Sequence, residues 1–115
     1  MTIAKPGYAK GWYYHKKQTD NFVCVKGEMR VALYDTRENS KTYGKVQEFI
    51  ISPDKNCLLI SIPPGVYHGF ESNIKEESII INTPREHYNH KNPDEHRVPF
   101  NSKEILFKWK SKKGG

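Results

Sequence analysis

Two histidines next to predicted turns are the first candidates in this chain for proton transfer or ligand binding. His68 lies three residues after Gly65, in a stretch where an aliphatic run ends at Pro63-Pro64. A strand cannot continue through these prolines, because proline has no N–H to donate, and Gly65 permits a turn with positive φ. The turn is expected to direct His68 back toward the surface that the strand covers. Imidazole titrates near neutral pH, so His68 could polarise or position a ligand; the alternative is a histidine that only bonds a nearby carbonyl.

His15 is the second candidate, and it lies two residues after Tyr13. In a strand, residues i and i+2 share a face, so both side chains could point the same way. A histidine at such a position can act as a general base. The alternative is a surface histidine beside Lys16-Lys17.

Short strand-like segments separated by turn residues must position these groups. They are 22–25, 29–34, Val46–Ile51, 58–62 and Ser78–Asn82, with a last apolar segment at 105–107. The turn at 26–28 predicts a hairpin between the first two, with Met29, Val31 and Leu33 on one face. No apolar stripe with helical period extends over ten residues. The pattern therefore predicts an all-β barrel or jelly roll.

Composition narrows the class of protein. A chain of 115 residues predicts one domain, 1–115. The formal net charge is +6, but much of the excess lies at 108–113, which is expected to be a solvated end. No zinc-finger, helix-turn-helix or RNA-recognition pattern is present, so nucleic acid is not an expected partner. The absence of a leader or an apolar span favours a cytoplasmic protein without a membrane partner, and two cysteines in apolar runs fit a reducing compartment.

Three motifs carry a resemblance to a known family. They are a V-x-G … D-x-R strand pair at 25–37, a S-x-T-[FY]-G turn at 40–44 and an I-P-x-G-x-x-H-G-F turn at 62–70. Their order and separation closely resemble the dTDP-4-dehydrorhamnose 3,5-epimerase family. The resemblance implies a cupin jelly-roll β-barrel, usually a homodimer. It also implies a nucleotide-diphosphate-linked 4-keto-6-deoxy sugar as the ligand, used for surface polysaccharides.

The resemblance also implies a reaction. The family removes a proton next to a ketone and returns it to the opposite face, and the ketone itself stabilises the carbanion, so no cofactor is expected. Here Tyr13 stands where the family's base histidine would be, and the strand at 79–81 lacks the family's acid tyrosine. We therefore expect His15 as a relocated base, His68 as the polarising group, and Tyr13 or Tyr67 as the acid.

Binding residues follow from the same comparison of motifs. Lys10 and Arg37 match family cations and are expected to meet the diphosphate. The candidate substrate-binding residues are Lys10, Gln18, Arg37 and Phe70. Tyr13, Tyr67 and Phe70 could form a stacking wall for a sugar or base, although such aromatics are also ordinary core. The alternative for Arg37 is an ion pair with Asp35. The chain is shorter than a typical family member at its N-terminus, which is expected to weaken nucleotide recognition.

Two other functions stay open at this stage. One is a non-catalytic cupin that keeps the sugar-nucleotide pocket. The other is a metal-dependent enzyme, since the spacing of His15, Asp20 and Gly27 fits the wider metal-cupin pattern, with Tyr13 at its first histidine and His68 as the last ligand. Two imidazoles and a carboxylate suit a divalent transition metal with open positions. The alternative for Asp20 is a residue in a turn.

Overall fold

The computed structural model describes residues 1–84 and 94–115, and these residues form strands and turns without a helix. The strands are β1 (Thr2–Ala4), β2 (Tyr8–Tyr14), β3 (Asp20–Lys26), β4 (Met29–Asp35), β5 (Val46–Ile51), β6 (Leu59–Ile62), β7 (Val66–Ser72), β8 (Ser78–Asn82), β9 (His96–Arg97) and β10 (Lys113–Gly114). In the described part of the chain, no helix is long and apolar enough to cross a membrane. The polar segment 85–97 falls mostly outside the described residues, and so do its histidines His87 and His90.

Two sheets face each other. One has the order β1-β8-β3-β6, and the other has the order β10-β2-β7-β4-β5, with β9 also paired to β2. The pairs are antiparallel except for β10 and β2, which run parallel. The all-β prediction is confirmed.

The main core lies between the two sheets. Its buried residues are Ala4, Phe22, Cys24, Met29, Val31, Ile51, Ile60, Ile62, Val66, Phe70 and Ile80. Met29 and Val31 alternate along β4 with residues on the other face, and Leu33 packs against the same cluster. The predicted apolar face of β4 is therefore confirmed, as the period of a strand requires.

A second apolar cluster covers the outer face of the larger sheet. Ala9, Trp12 and Ala32 of the sheet pack there against Ile105 and Trp109 of the C-terminal segment. The ring centroids of Trp12 and Trp109 are 5.1 Å apart, and Trp109 is 6% exposed. The prediction of a solvated end at 108–113 was therefore wrong. Trp109 buries apolar area against the sheet, while the lysines of the segment stay exposed.

The predicted hairpin between 22–25 and 29–34 is also wrong. β3 pairs with β6 and β8, whereas β4 pairs with β5 and β7 in the other sheet. The turn at Gly27, with φ of 77°, carries the chain from one sheet to the other. A Cβ on Gly27 would meet the Ser78 Oγ atom, so any other residue at this crossing would force Ser78 to move.

Candidate functional site

A cavity of about 290 Å³ opens between β2 and β7 of the larger sheet and β3 and β8 of the smaller one. Its lining residues are Thr2, Lys10, Tyr13, His15, Gln18, Asp20, Phe22, His68, Phe70, Ile80, Asn82, Glu95 and Arg97. Six residues singled out from the sequence as catalytic or substrate-binding meet here: Lys10, Tyr13, His15, Gln18, His68 and Phe70. Asp20, the predicted acid of the metal alternative, lies with them. Polar groups from segments far apart in sequence therefore share one concave site, the usual form of a ligand site.

The centre of the cavity is a cluster of His15, Asp20 and His68. The His15 Nε2 atom lies 3.1 Å from Asp20 Oδ2, and the His68 Nε2 atom lies 3.0 Å from the same oxygen. The side chains of Asp20 and His68 are each 3% exposed, and that of His15 is 9% exposed. The other carboxylate oxygen of Asp20 accepts a hydrogen bond of 2.5 Å from the Gln18 side-chain amide. The cluster is thus buried, and both oxygens of its carboxylate have polar partners.

The remaining nitrogen of each ring faces a backbone carbonyl. His68 Nδ1 lies 3.1 Å from the Val66 oxygen, and His15 Nδ1 contacts the Asp94 oxygen. A carbonyl oxygen can only accept, so both Nδ1 atoms carry a hydrogen and donate it. Both rings are thereby fixed in orientation, with Nε2 directed at Asp20.

The cluster changes the acidity of its members. Burial raises the pKa of Asp20, but hydrogen bonds from His15, His68, Asn82 and Gln18 outweigh it and hold that pKa well below its usual range. Burial lowers the pKa of His15, while its bonds to Asp20 and to the Asp94 carbonyl raise it above the ordinary value. Asp20 is therefore a carboxylate at neutral pH, available to a positive partner.

Asp94 holds the turn that follows β2. Its carboxylate accepts hydrogen bonds from the backbone N–H groups of Lys16, Lys17 and Gln18 at 2.9, 2.7 and 3.0 Å. The same residue contacts His15 through its carbonyl. Asp94 therefore fixes both a histidine of the cluster and the turn that presents Gln18. Sequence reasoning missed it, because no local pattern links residues this far apart.

Tyr13 lies beside the cluster on the neighbouring strand. It pairs with His68 across β2 and β7, and their ring centroids are 6.3 Å apart. The Arg97 guanidinium carbon lies 4.9 Å from the centre of the Tyr13 ring, and the Tyr13 hydroxyl is 3.4 Å from the Gly115 oxygen. Burial raises the pKa of Tyr13 above its usual value, although Arg97 opposes the shift. Tyr13 is therefore a neutral phenol near pH 7.

Two predicted site residues do not reach the cavity. Tyr67 lies on the opposite face of β7 from His68 and stacks on Tyr14, with ring centroids 4.8 Å apart. Arg37 forms two hydrogen bonds with Asp35, from Nε at 3.0 Å and from Nη2 at 2.9 Å, away from the cluster. We therefore correct both placements: Tyr67 belongs to the outer apolar cluster, and Arg37 to the ion pair that was its alternative.

The structure adds Arg97 and Glu95 to the cavity, together with Thr2 and Asn82. β9 brings Arg97 there by pairing with β2, where Tyr13 is opposite Arg97. Arg97 gave no signal in the sequence, because a two-residue strand in a polar region has no recognisable pattern.

Comparisons with known proteins agree with this architecture. The sequence model of the dTDP-4-dehydrorhamnose 3,5-epimerase family matches residues 1–114. The chain belongs to that family. The probable low-salt glycan biosynthesis epimerase Agl13 of Haloferax volcanii is 38% identical over 109 residues, covering 94% of this chain and 69% of that protein. The spore coat polysaccharide biosynthesis protein SpsL of Bacillus subtilis is 38% identical over 104 residues, covering 90% and 68%.

A solved structure agrees as well. The crystal structure of a dTDP sugar isomerase from Desulfovibrio desulfuricans G20 matches with a TM-score of 0.87 at 28% identity, covering 94% of this chain and 68% of that one. The family resemblance and the cupin jelly-roll fold predicted from the sequence are thus both confirmed.

The sequence motifs predicted two differences from the epimerase family, and both concern residues that face the cavity. Tyr13, which the motif resemblance aligns with the family's base histidine, faces the cavity. On β8 the residue facing the cavity from the 79–81 stretch is Ile80, so no phenol comes from that strand. Among the described residues of the cavity wall, Tyr13 supplies the phenol.

Proposed function

We propose that this protein is an isomerase that epimerises a nucleoside-diphosphate-linked 4-keto-6-deoxyhexose, of the dTDP class, for the synthesis of surface polysaccharides. The observation that carries the proposal is the family match over residues 1–114. Its supporting geometry is a cavity that keeps the histidine of the I-P-x-G-x-x-H-G-F turn, His68, beside a carboxylate, a phenol and cations. The reaction breaks the C–H bond next to the ketone: its electron pair moves into an enolate, and we propose that its proton passes to the Glu95 carboxylate, which lines the cavity.

Tyr13 is the residue that we propose transfers a proton at this carbon. The motif resemblance aligns it with the family's base histidine, and its hydroxyl lies 3.4 Å from the Gly115 oxygen. Because its pKa is raised, the Tyr13 hydroxyl is protonated near neutral pH and can donate the proton that returns to the enolate. Tyr13 was one of two acids expected from the sequence; the other, Tyr67, packs against the outer apolar cluster, which favours Tyr13 in our proposal.

His15 fits the role of base less well than the sequence analysis expected. Its Nε2 faces Asp20 and its Nδ1 faces the Asp94 carbonyl, so one of these contacts would have to open before it could take a proton from a ligand. His68 is held in the same way by Asp20 and Val66. These contacts favour a fixed role for both rings, in which the cluster polarises the ketone and Tyr13 moves the proton.

Lys10 and Arg97 are proposed to bind the diphosphate. Both line the cavity, whereas Arg37, the second cation expected from the sequence, is already paired with Asp35. A guanidinium can bind phosphate oxygens through two parallel hydrogen bonds, and Arg97 has its face on the Tyr13 ring. A ligand held by these cations at one end would place its sugar near Tyr13.

The experiment that tests the function is solvent exchange. Tag-free protein is incubated with dTDP-4-keto-6-deoxyglucose in D₂O, and proton NMR follows the signals next to the ketone. Loss of these signals at a rate above that of a protein-free sample supports epimerase chemistry. Unchanged signals, together with a melting temperature that dTDP raises, would instead show the non-catalytic sugar-nucleotide-binding cupin.

A homodimer, a cytoplasmic location and the absence of a nucleic-acid partner complete the proposal. Light scattering after gel filtration measures the first of these directly. A monomer at micromolar concentration would contradict it.

A further inference from the structure

Three potential metal ligands converge at the centre of the cavity. His15 Nε2 and His68 Nε2 lie 3.1 and 3.0 Å from the same oxygen of Asp20, and all three ligand atoms lie within 4.8 Å of one another. Two ligands that are each about 2.1 Å from one metal ion in octahedral geometry are about 3.0 Å apart. Both nitrogen–oxygen distances agree with that separation.

The outer contacts of these side chains are those of metal ligands. Each Nδ1–H donates to a backbone carbonyl, of Val66 for His68 and of Asp94 for His15, so both rings are held with Nε2 directed at Asp20. A metal-binding histidine is usually oriented by such a bond from its other nitrogen. The carboxylate of Asp20 is oriented as well, by the Gln18 amide on its other oxygen.

We propose that His15, Asp20 and His68 bind one divalent transition metal ion. Two imidazoles and one carboxylate suit manganese, iron, cobalt, nickel or zinc better than magnesium or calcium, which prefer oxygen ligands. Three protein ligands leave coordination positions of the metal open on the side that faces the cavity, where a substrate atom could bind. The charged groups nearby are of both signs, with Lys10 and Arg97 opposed by Glu95, and Asp20 supplies the negative charge that the ion needs.

The ion has a defined use in the proposed reaction. In this site it would be a Lewis acid toward a carbonyl oxygen in the cavity, while Tyr13 transfers the proton. This use depends on the proposed function, but the binding of the ion does not. A bound ion would also explain why every ring nitrogen of His15 and His68 has a partner, so that neither ring is free to act as a base.

The test is a direct titration of metal. Full-length, tag-free protein is treated with EDTA, dialysed, and titrated with MnCl₂, CoCl₂ and ZnCl₂ at pH 7.5 by calorimetry. The cobalt sample is also followed by its visible absorption. We expect one ion per chain for at least one metal, with affinity more than about ten-fold weaker in Asp20→Asn and His68→Gln. His96→Gln is the matched control, because His96 is exposed outside the cavity, and its affinity should equal that of the wild type.

Two results would overturn the proposal. One is wild-type protein that binds none of the three metals, a result that needs no variant to fold. The other is binding that persists unchanged in a folded Asp20→Asn protein, which would locate the ion elsewhere. The exchange assay separates this proposal from the function: exchange by metal-free protein supports the epimerase without needing the ion, and metal binding without exchange supports the ion site alone.

Discussion

At the residue scale, the face that a side chain occupies decides its role more than its chemical type does. His68 and Tyr67 are neighbours on β7, yet His68 faces the cavity and Tyr67 packs behind the sheet. The turn before His68 and the resemblance to the metal-cupin spacing indicated His15, Asp20 and His68 from the sequence, each with a structural alternative, and all three line the cavity. Tyr67 could not be excluded, because the sequence around it was interpreted as a turn and not as part of a strand.

Arg97 and Arg37 give a matched pair of cations for a test at this scale. Arg97→Met removes a charge from the cavity wall, and we expect KM for the sugar nucleotide to rise by about ten-fold, equivalent to about 1.4 kcal/mol. Arg37→Met removes a cation that Asp35 already neutralises, so KM should stay within about two-fold of the wild-type value. Steady-state kinetics of both variants decide this. An equal rise in KM for both variants would contradict the proposal that Arg97, rather than Arg37, binds the diphosphate.

At the element scale, the crossing from β3 to β4 shows why the hairpin prediction failed. Two apolar segments with a glycine turn between them are typical of a hairpin, and the local pattern does not reveal that the strands belong to different sheets. By contrast, β5 and β8 were predicted to the residue, because clear turn residues bound their apolar runs. Local signals located strands well and their partners poorly.

Gly27 and Gly44 allow the crossing to be tested. Both have positive φ, 77° and 75°, but a Cβ on Gly27 would meet Ser78 whereas a Cβ on Gly44 would meet nothing within 4 Å. Gly44→Ala should cost about 1 kcal/mol in the free energy of unfolding, from the backbone alone. Gly27→Ala should cost at least about 1 kcal/mol more, because it also forces Ser78 to move. Urea denaturation measures both, and equal losses would mean that the crossing tolerates a side chain.

At the scale of the whole molecule, the C-terminal segment is tied to the larger sheet by a buried carboxylate. Glu71 is fully buried, and it accepts hydrogen bonds from Arg30 Nη1 at 2.8 Å, from the Lys110 and Ser111 backbone N–H groups, and from the Ser111 hydroxyl. Glu48 contacts the same guanidinium. The sequence pattern indicated a solvated end here, because lysines alternate with the aromatic residues that pack inward.

This carboxylate makes stability depend on pH. Burial raises the pKa of Glu71, but the bonds from Ser111, Arg30 and Lys110 outweigh it and lower the pKa below its usual value. A depressed folded-state pKa stabilises the protein above the unfolded value of about 4.3, and the stabilisation is lost as pH falls through the folded pKa. We expect the free energy of unfolding to fall between about pH 5 and pH 3, and to fall less steeply in Glu71→Gln.

The Glu71→Gln variant is also expected to have a lower free energy of unfolding than the wild type at pH 7. Glu71→Gln leaves the buried Arg30 with one charged partner, and we expect a loss of about 3 kcal/mol. Glu48→Gln is the control, since the Glu48 side chain is 41% exposed and its loss should cost about 1 kcal/mol or less. Denaturation in urea at several pH values measures all three proteins. A Glu71→Gln protein as stable and as pH-dependent as the wild type would contradict this account of the C-terminal segment.

The central claim, that Tyr13 transfers the proton in a cavity whose histidines are fixed, is tested most directly by deuterium exchange with Tyr13→Phe. The variant removes only the hydroxyl, and Tyr67→Phe is its matched control on the opposite face of the sheet. We predict that exchange into the dTDP-4-keto-6-deoxyhexose falls by at least about 100-fold in Tyr13→Phe and is unchanged in Tyr67→Phe. Exchange that is retained in Tyr13→Phe and lost in His15→Gln would contradict the claim and return the proton-transfer role to His15.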